Sequence, residues 1–341
     1  MPQTEFSLSV VYLRQIAEQI RTAGGDVASW LQRSQVSEAQ LNDSSLQLPY
    51  STLKQLITDA MAATNEPAIG LLIGERLLAN SHGILGYAAM NSATLRQTAE
   101  LFEHYLRVRT SLLLLNNEIH GNQFRLVFSE PLPLGEIRRP VLEAIILTIK
   151  NLFDHIALDS SNVLEVAFPF AEPEYAALAR DLFKCKVSYR QNWAGIALDL
   201  ANMDKPLKMA DQAAFMDALQ ICQRELDKLV KNESLSAQVR RIMLEKQGGF
   251  PSLNLMARLF NLTPRTLHRR LIEEQTSYKE ILEDVRHVLA VEHLKSTHLS
   301  IQEISYTLGY SDMANFRRAF KRWETIAPSE YRALNSPQVK R

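Results

Sequence analysis

Cysteine and long apolar runs are scarce in this sequence, and each scarcity excludes a class of protein. The 341 residues include only two cysteines, Cys185 and Cys222. Neither belongs to a C-x-x-C pair or has a histidine at metal-ligand spacing, so we expect reduced thiols and no metal site. No apolar run approaches the roughly 18–20 residues that a membrane span needs, and the N-terminus does not resemble a signal peptide. We therefore expect a cytoplasmic protein with no membrane partner.

Sequence signatures of catalysis are also lacking. The twelve glycines form no phosphate-binding loop, and the pair Gly83 and Gly86 is too sparse for a dinucleotide loop and more typical of a turn. There is no H-E-x-x-H helix and no nucleophile elbow. We predict no catalytic residues and no cofactor, and a protein that is not an enzyme.

Charge is balanced over the whole chain, which carries 38 Lys+Arg and 38 Asp+Glu, but it is unevenly distributed. Residues 1–233 hold 21 basic and 27 acidic residues, a net charge of −6, whereas residues 234–341 hold 17 and 11, a net charge of +6. The length allows two domains of ordinary size. A basic domain of about 100 residues suits a polyanionic partner such as nucleic acid.

The basic region contains one pattern twice, in residues 253–271 and 301–320. Each copy reads as a short amphipathic helix, a turn and a second helix rich in arginine, which predicts two helix-turn-helix modules. Asn261 and Gly309 occupy the turns, where a positive φ ends the first helix. The predicted N-caps of the second helices are Thr263, followed by Pro264, in the first copy and Ser311 or Asp312 in the second.

Helical geometry assigns a buried and an exposed face to each second helix. In the second copy, Phe316, Ala319, Phe320 and Trp323 form the buried stripe, and Ala314, Asn315, Arg317, Arg318, Lys321 and Arg322 lie opposite or beside it. In the first copy, Leu267 and Leu271 point inward, and Arg265, Thr266, His268 and Arg269 point outward. Arginine pairs bidentately with guanine, and Asn or His can read other base edges, so both faces are suited to a DNA major groove.

The last hundred residues resemble the DNA-binding domain of AraC/XylS-type transcription regulators. The family signature is approximately G-[FY]-S-x-x-x-x-F-x-R-x-F-K-[RK]-x-x-G-x-[ST]-P-x-x-[YF]-R, and residues 309–332 read "GYSDMANFRRAFKRWETIAPSEYR". The resemblance implies an all-α domain of seven helices, with a long connecting helix over 277–295, that binds double-stranded promoter DNA. Two residues depart from the signature: Thr325, for the usual Gly, is poorly suited to a positive φ, and Ala327, for the usual Ser or Thr, removes an N-cap.

The resemblance also identifies the positions that read bases. They are Arg265, His268 and Arg269 in the first module and Met313, Ala314, Asn315 and Arg318 in the second. Adding the outward neighbours from the helical geometry completes the predicted DNA-binding set, which is Arg265, Thr266, His268, Arg269, Met313, Ala314, Asn315, Arg317, Arg318 and Lys321.

The acidic half of the chain shows mixed periodicity that predicts an α+β domain. We expect helices at 8–30, 50–63, 67–80, 91–110, 137–157 and 173–183, a β-hairpin around Asn117–Asn122, a strand at 162–170 and a strand pair across 185–199. This half resembles, more loosely, the amino-terminal "arabinose-binding" effector domain of regulators of the ornithine-utilisation type. The label does not make arabinose the ligand.

Polar side chains among apolar residues indicate where a small molecule with a polar or acidic head could bind. The candidates are His82, Tyr87, His104, Tyr105, Arg107 and Arg109. The alternative is that the aromatic residues belong to the core and the arginines face water.

A further helical stretch, "KMADQAAFMDALQICQRELDKLV", bears on assembly. Its apolar residues Phe215, Leu219, Cys222, Leu226 and Leu229 recur at spacings of four and three, which suits a two-stranded helical contact. Two interpretations stay open: a homodimer, as in many members of the family, or packing on the helix's own domain.

We predict a transcription regulator, an activator, whose effector domain (1–207) binds a small molecule and is followed by a linker or dimerisation helix (208–233). A DNA-binding domain (234–335) and a flexible tail (336–341) complete the chain, and RNA polymerase is a further expected partner. The alternative is a constitutive regulator whose first domain only dimerises or binds a protein. An enzyme fused to a DNA-binding tail would be a third interpretation, but no motif supports it.

Overall fold

The computed structural model describes residues 5–6, 10–43, 46, 48–77, 79–131, 134–158, 163–232, 234–245, 249–296 and 299–335, so the predicted tail 336–341 lies outside the described residues. The chain divides into two compact units, Glu5–Leu229 and Val230–Arg341. Within the described ranges, no helix is long and apolar enough to cross a membrane.

Nine described α-helices begin in the first unit, and the last of them, α9, ends three residues past the boundary at Leu229. They are α1 (Val10–Thr22), α2 (Val27–Arg33), α3 (Tyr50–Thr64), α4 (Ile69–Arg76), α5 (Gly83–Met90), α6 (Leu95–Tyr105), α7 (Arg138–Ala157), α8 (Ala176–Phe183) and α9 (Gln212–Asn232). The Thr94 side chain caps α6 by accepting from the Gln97 N–H at 3.1 Å, as its position before an apolar periodic run predicts.

Two predictions about these helices are wrong. Residues 8–30 do not form one helix, because Gly24 turns the chain with a φ of 78° and Asp26 caps a new helix, α2, by accepting from Ala28 N. Gly86 does not lie in a turn but inside α5, whose neighbouring residues Leu85 and Ala88 are fully buried. Apolar packing on both sides here overrides the weak helix propensity of glycine.

The strands of the first unit form a small pair and a five-stranded sheet. They are β1 (Glu5–Phe6), β2 (Leu48–Pro49), β3 (Leu114–His120), β4 (Gln123–Ser129), β5 (Val163–Ala167), β6 (Lys186–Ser188) and β7 (Gly195–Asp199). β1 pairs with β2, and the larger sheet has the order β3-β4-β7-β5-β6 with one parallel pair, β5 and β6. The β3–β4 hairpin is confirmed, and Gly121 supplies its turn with a φ of 58°.

The two strands within 185–199 exist, but the prediction that they pair with each other is wrong. β5 lies between them, parallel to β6 and antiparallel to β7. The helix α8 carries the chain from β5 to β6, and such a crossover returns it in the same direction. Gly195 lets β7 approach β4 closely, because a Cβ there would lie 1.9 Å from the Leu126 carbonyl oxygen.

Helices α4 and α7 pack unusually closely in the core of this unit. A Cβ on Gly70 would lie 2.5 Å from the Pro140 carbonyl oxygen, and one on Gly74 would lie 2.8 Å from that of Ala144. The Thr148 hydroxyl of α7 also donates to the Gly74 carbonyl at 3.3 Å. These glycines therefore fix the spacing of two helices that line a cavity described below.

The apolar seam of α9 packs on the same unit. Phe215 and Cys222 are buried in its core, and Leu219 and Leu226 pack against that core. Packing on its own domain accounts for these four side chains, and the homodimer stays a prediction.

The second unit consists of seven described helices, as the family resemblance implies. They are α10 (Leu235–Glu245), α11 (Leu253–Leu259), α12 (Pro264–Glu273), α13 (Tyr278–Ser296), α14 (Ile301–Thr307), α15 (Met313–Glu324) and α16 (Pro328–Asn335). Helices α11 and α12 form the first helix-turn-helix module, and α14 and α15 form the second.

The long helix α13 serves two separate cores. Its first half contributes Ile281 and Val285 to the core of the first module, and its second half contributes Ala290 and Leu294 to that of the second. Phe250 packs against both cores. One continuous helix thus links two modules that each bury their own apolar residues.

The turn and cap predictions hold in both modules. Asn261 and Gly309 have φ values of 53° and 72°, as the ends of α11 and α14 require. Thr263 caps α12, accepting from Thr266 N at 3.1 Å, and Asp312, rather than Ser311, caps α15, accepting from Asn315 N at 2.8 Å. A side-chain oxygen at this position satisfies one otherwise unpaired N–H of the helix start.

Candidate nucleic-acid interface and effector cavity

Helix α12 presents a basic face because its apolar side chains are buried on the other side. Leu267 and Leu271 are fully buried, while Arg265, His268 and Arg269 are exposed. Arg269 Nε lies 3.6 Å from the Glu273 carboxylate on the same helix. This contact is long and exposed, so it costs little to exchange for a base or a phosphate.

The predicted contact residue Thr266 is partly engaged within the protein. Its hydroxyl lies 2.8 Å from that of Thr263, and its backbone N–H donates to the same hydroxyl. Thr266 therefore belongs to the capped start of α12, which points its first turn and Arg265 away from the core.

Helix α15 repeats this arrangement with an aromatic buried side. Phe316 and Phe320 are fully buried, and the opposite face exposes four of the predicted residues, with Met313 and Asn315 half-buried at its start. The exposed residues are Ala314, Arg317, Arg318 and Lys321. The described contacts include no acidic partner for Arg317 or Lys321, so both cations are available to an anionic ligand.

Three side chains at the start of α15 form a hydrogen-bonded chain. The Asn315 amide N–H₂ donates to the carboxylate of the cap residue Asp312, and its carbonyl oxygen accepts from Arg318 Nη2 at 2.7 Å. The carboxylate fixes which way the amide points, since it can only accept. Asn315 consequently orients the Arg318 guanidinium.

The turn before α15 is held by an arginine from the connecting helix. Arg286 of α13 donates to the carbonyl oxygens of Leu308 (2.8 Å) and Gly309 (3.1 Å). Its guanidinium also stacks on the rings of Phe250 and Tyr310, 5.5 and 4.6 Å from their centroids. One side chain therefore satisfies two carbonyls of the turn that follows α14 and joins that turn to α13.

The far end of α15 is attached to α13 by two polar contacts. Arg322 Nη2 lies 2.9 Å from the Glu283 carboxylate, and Glu324 lies 2.5 Å from His287 Nε2. Arg322, on the shoulder of the predicted reading face, is thus engaged by the protein. Both ends of the second recognition helix are fixed relative to α13.

The first unit contains a cavity of about 70 Å³ between α1, α3, α4, α6 and α7. A single water molecule needs about 10–15 Å³, so the cavity has room for a group several times larger. Its lining is mostly aliphatic. The lining residues are Tyr12, Ile16, Ile57, Ala60, Ile69, Ile73, Leu77, His82, Phe102, Leu106, Arg109, Thr110, Leu112, Pro140, Val141, Ala144, Ile145, Thr148 and Ile149.

Three polar side chains meet in this lining. The Tyr12 hydroxyl lies 3.2 Å from His82 Nδ1, and Arg109 Nη2 donates to the Ser81 carbonyl at 2.9 Å. His82 is 3 % exposed, and its Nε2 is buried without a hydrogen-bond partner among the described residues. Burial, together with the Arg109 charge, lowers the pKa of His82 to about 4, so the imidazole is neutral at pH 7.

The six candidate ligand residues from the sequence are not all brought together. His82 and Arg109 line the cavity. Tyr87 and His104 are exposed on α5 and α6, Arg107 is not in the lining, and Tyr105 donates its hydroxyl to Gln223 of α9 at 2.9 Å. Sequence reasoning missed Tyr12, which lies 70 residues from His82 and belongs to no local motif.

The described residues contain no cluster of three or more metal-ligating side chains. Burial raises the pKa of both thiols, Cys185 and Cys222, to about 11.

Comparisons with known proteins agree with both halves of the chain. Residues 24–207 match the family described as the arabinose-binding domain of AraC transcription regulators, and residues 256–334 match a helix-turn-helix domain family. The chain is 30% identical over 323 residues to the ornithine utilization regulator of Pseudomonas aeruginosa, covering 95% of each chain. It is 27% identical over 278 residues to an uncharacterized HTH-type transcriptional regulator of Mycobacterium tuberculosis, covering 78% of this chain and 79% of the other.

Among solved structures, the transcriptional regulator CdpR of Pseudomonas aeruginosa is similar, with 21% identity, a TM-score of 0.45 and coverage of 95% of this chain and 98% of that one. The family conclusion rests on the two matched domain families and on the 30% identity to the ornithine utilization regulator over 95% of each chain. The chain belongs to the AraC-type helix-turn-helix transcription regulators that carry an amino-terminal domain of the arabinose-binding type.

Proposed function

We propose that this regulator binds its promoter through both recognition helices and is an activator controlled by a small molecule in the cavity of the first unit. The observation that carries the proposal is the cavity itself, which is mostly apolar and has a few polar groups at one place, as ligand sites usually are. The proposed limits are an effector domain over 1–207, a linking helix over 208–233 and a DNA-binding domain over 234–335.

Each recognition helix supports the DNA-binding part of this proposal with exposed cations opposite a fully buried apolar side. Arg265 and Arg269 on α12 and Arg318 on α15 can pair bidentately with guanine. Arg317 and Lys321 supply charge for the phosphate backbone, whose neutralisation releases counterions. The other proposed contacts are Thr266, His268, Met313, Ala314 and Asn315.

The length of α13 supports a docking mode with both modules on one side of the duplex. Its 19 residues span roughly 28 Å at 1.5 Å per residue, close to the roughly 34 Å that separates successive turns of the major groove. One protomer would then protect two patches about 10 base pairs apart. A homodimer, which stays a proposal, would double this footprint.

A footprint of the full chain on its promoter tests the docking mode. Changing Arg265 and Arg269 together to alanine should erase one protected patch and leave the other, and Arg318→Ala should do the reverse. A steep fall in affinity with rising salt is expected as well, because the binding releases counterions. If only one patch ever appears, or both vanish together, the two-module docking is wrong.

A thermal-shift screen of the full chain against metabolites tests effector control, because a specific ligand stabilises the folded state by mass action. A compound that raises the melting temperature should also change promoter occupancy or transcription with purified RNA polymerase, an increase being expected of an activator. Such a change requires the compound to bind one arrangement of the protein better than another. A screen without any such compound would favour a constitutive regulator.

A further inference from the structure

We propose that the cavity selects a small amphiphile, an apolar carboxylate, and rejects both sugars and basic amino acids. This inference rests on the proposed function, since it names the class of effector for the same cavity. The proposed ligand class includes neither arabinose nor ornithine, the two compounds that appear in the names of the matched family and of the similar regulator.

The aliphatic lining defines the body of the ligand. Fourteen of the nineteen described lining residues are apolar, on five different helices and the segments between them. Three of the five polar ones have backbone partners: the Thr110 hydroxyl accepts from Leu112 N at 3.2 Å, the Thr148 hydroxyl donates to the Gly74 carbonyl at 3.3 Å, and Arg109 Nη2 donates to the Ser81 carbonyl at 2.9 Å. A ligand body in this space is therefore surrounded by methyl and methylene groups.

The two polar rings, Tyr12 and His82, and the positive charge of Arg109 define the head of the ligand. When the Tyr12 hydroxyl donates to His82 Nδ1, the neutral imidazole carries its proton on Nε2 and can donate to an acceptor. That nitrogen is the buried one without a partner among the described residues. Arg109 places a positive charge beside both rings, and its field acts on the Tyr12 hydroxyl as well as on His82. An oxygen acceptor with negative charge, such as a carboxylate, suits this arrangement.

The same lining disfavours the binding of a pentose and of ornithine. A pentose has several hydroxyl groups, and each one buried here without a partner would cost about tenfold or more in affinity. Ornithine carries two ammonium groups, whereas the described lining has a cationic arginine and no carboxylate to receive them. Burying an unpaired ammonium group next to a like charge is strongly unfavourable.

Direct binding to the full chain tests the proposal with four probes: octanoate, 1-octanol, L-arabinose and L-ornithine. Octanoate should bind and raise the melting temperature, and octanol, which has the same body without the charge, should bind about tenfold or more weakly. Arabinose and ornithine should produce no shift. A series of linear acids from butyrate to decanoate should show an optimum length set by the cavity. Tighter binding of arabinose or ornithine than of any acid would overturn the proposal.

Two variants locate the effect in the cavity. Arg109→Gln should weaken octanoate by about tenfold or more and octanol by less than about threefold, because only the charge of the head is lost. Arg33→Gln, on the exposed end of α2 and outside the cavity, is the charge-matched control and should change neither. Because Arg109→Gln also removes a bond to the Ser81 carbonyl, Ala60→Leu provides a second test. It fills the cavity and should abolish binding of both probes while promoter binding persists. Equal weakening of octanoate and octanol by Arg109→Gln would contradict the role of the charge.

The screen described under the proposed function separates the two ideas. If the acids do not bind but another class of compound binds and changes promoter occupancy, the ligand class is wrong and effector control stands. If no compound binds, effector control fails and the ligand class fails with it. Binding of the acids that also changes promoter occupancy supports both.

Discussion

The two helix-turn-helix modules expose similar arginine faces, yet they hold their recognition helices in different ways. In the first module, α12 is held by aliphatic and methionine packing, and Glu274 after it caps α10 by accepting from Leu235 N and Ser236 N, both at 2.8 Å. In the second module, α15 packs on an aromatic core, Arg286 of α13 holds the turn before it, and two charged side chains near its end, Arg322 and Glu324, contact α13. Two different buried cores can thus support the same exposed pattern of arginines. The second module has more polar contacts to α13, so single polar substitutions should lower its stability more than that of the first.

The largest effect is expected from Arg286→Ala, which removes the joint between α13 and the turn of the second module. Two hydrogen bonds to carbonyls and two ring contacts are lost, so the free energy of unfolding of this module should fall by about 2–4 kcal/mol. Hydrogen exchange followed by mass spectrometry should show faster exchange in α14 and α15 with little change in α11 and α12. Arg258→Ala, on the exposed side of α11, is the control. Equal loss of protection in both modules would show that they are not held separately.

The next effect concerns the reading faces themselves. Arg269→Ala and Arg318→Ala should each weaken specific binding by about 1–3 kcal/mol and relax the preference at different base pairs. Gel-shift titrations against operators with single base-pair changes would measure both. Lys279→Ala, on the exposed side of α13 and off both recognition helices, is the control. If Lys279→Ala loses as much discrimination, the faces are assigned wrongly.

A smaller effect is expected from the residues that follow the two recognition helices. Thr325 and Gln275 adopt φ values of 64° and 56°, but only threonine is β-branched and poorly suited to this region. Thr325→Gly should therefore raise the free energy of unfolding by about 1 kcal/mol, whereas Gln275→Gly should change it by a few tenths at most. Urea unfolding of both variants provides the measurement. A larger gain at Gln275 than at Thr325 would contradict this account of the strain.

The smallest effect should come from Asn315→Ala, which removes the link between the cap residue Asp312 and Arg318. Specific binding should weaken by about 0.5–1 kcal/mol, and a double-mutant cycle with Arg318→Ala should show coupling of about that size. The matching cycle in the first module, Thr266→Ala with Arg269→Ala, should show no coupling, since no described contact joins those two side chains. If Asn315→Ala adds independently to Arg318→Ala, Asn315 reads DNA by itself.

The second unit could be predicted almost completely from the sequence, because its helices and turns are determined by residues that lie close together in the chain. All four helices of the two modules start with a capping side chain, such as Thr263 or Asp312, and the turn of each module carries a residue that tolerates positive φ. The apolar residues of each module also lie close together in the chain, so helical periodicity alone separates Phe316 and Phe320 from the exposed arginines. The polar contacts from α13 were not predictable, since residues such as Arg286 and Leu308 are far apart in the chain.

The first unit was less predictable because its strand pairing and its cavity depend on residues that are far apart in the chain. The β3–β4 hairpin followed from its turn, but the position of β5 between β6 and β7 depends on pairings between distant segments. The cavity shows the same difficulty. Tyr12, His82, Arg109 and Thr148 come from four separate parts of the chain, and each resembles an ordinary core or surface residue by itself. Local spacing identified two of the lining residues, His82 and Arg109, and could not identify the rest.

The two natural thiols have a practical consequence for observing this protein at work. With pKa values near 11, Cys185 and Cys222 are almost entirely protonated at pH 7.5, and the thiolate is the form that alkylating reagents attack. A single new cysteine on a recognition helix, as in Arg265→Cys, would therefore react far ahead of both. A fluorophore or a DNA-cleaving chelate could be attached at that one site in the otherwise native chain, which would map the position of α12 on the promoter one nucleotide at a time.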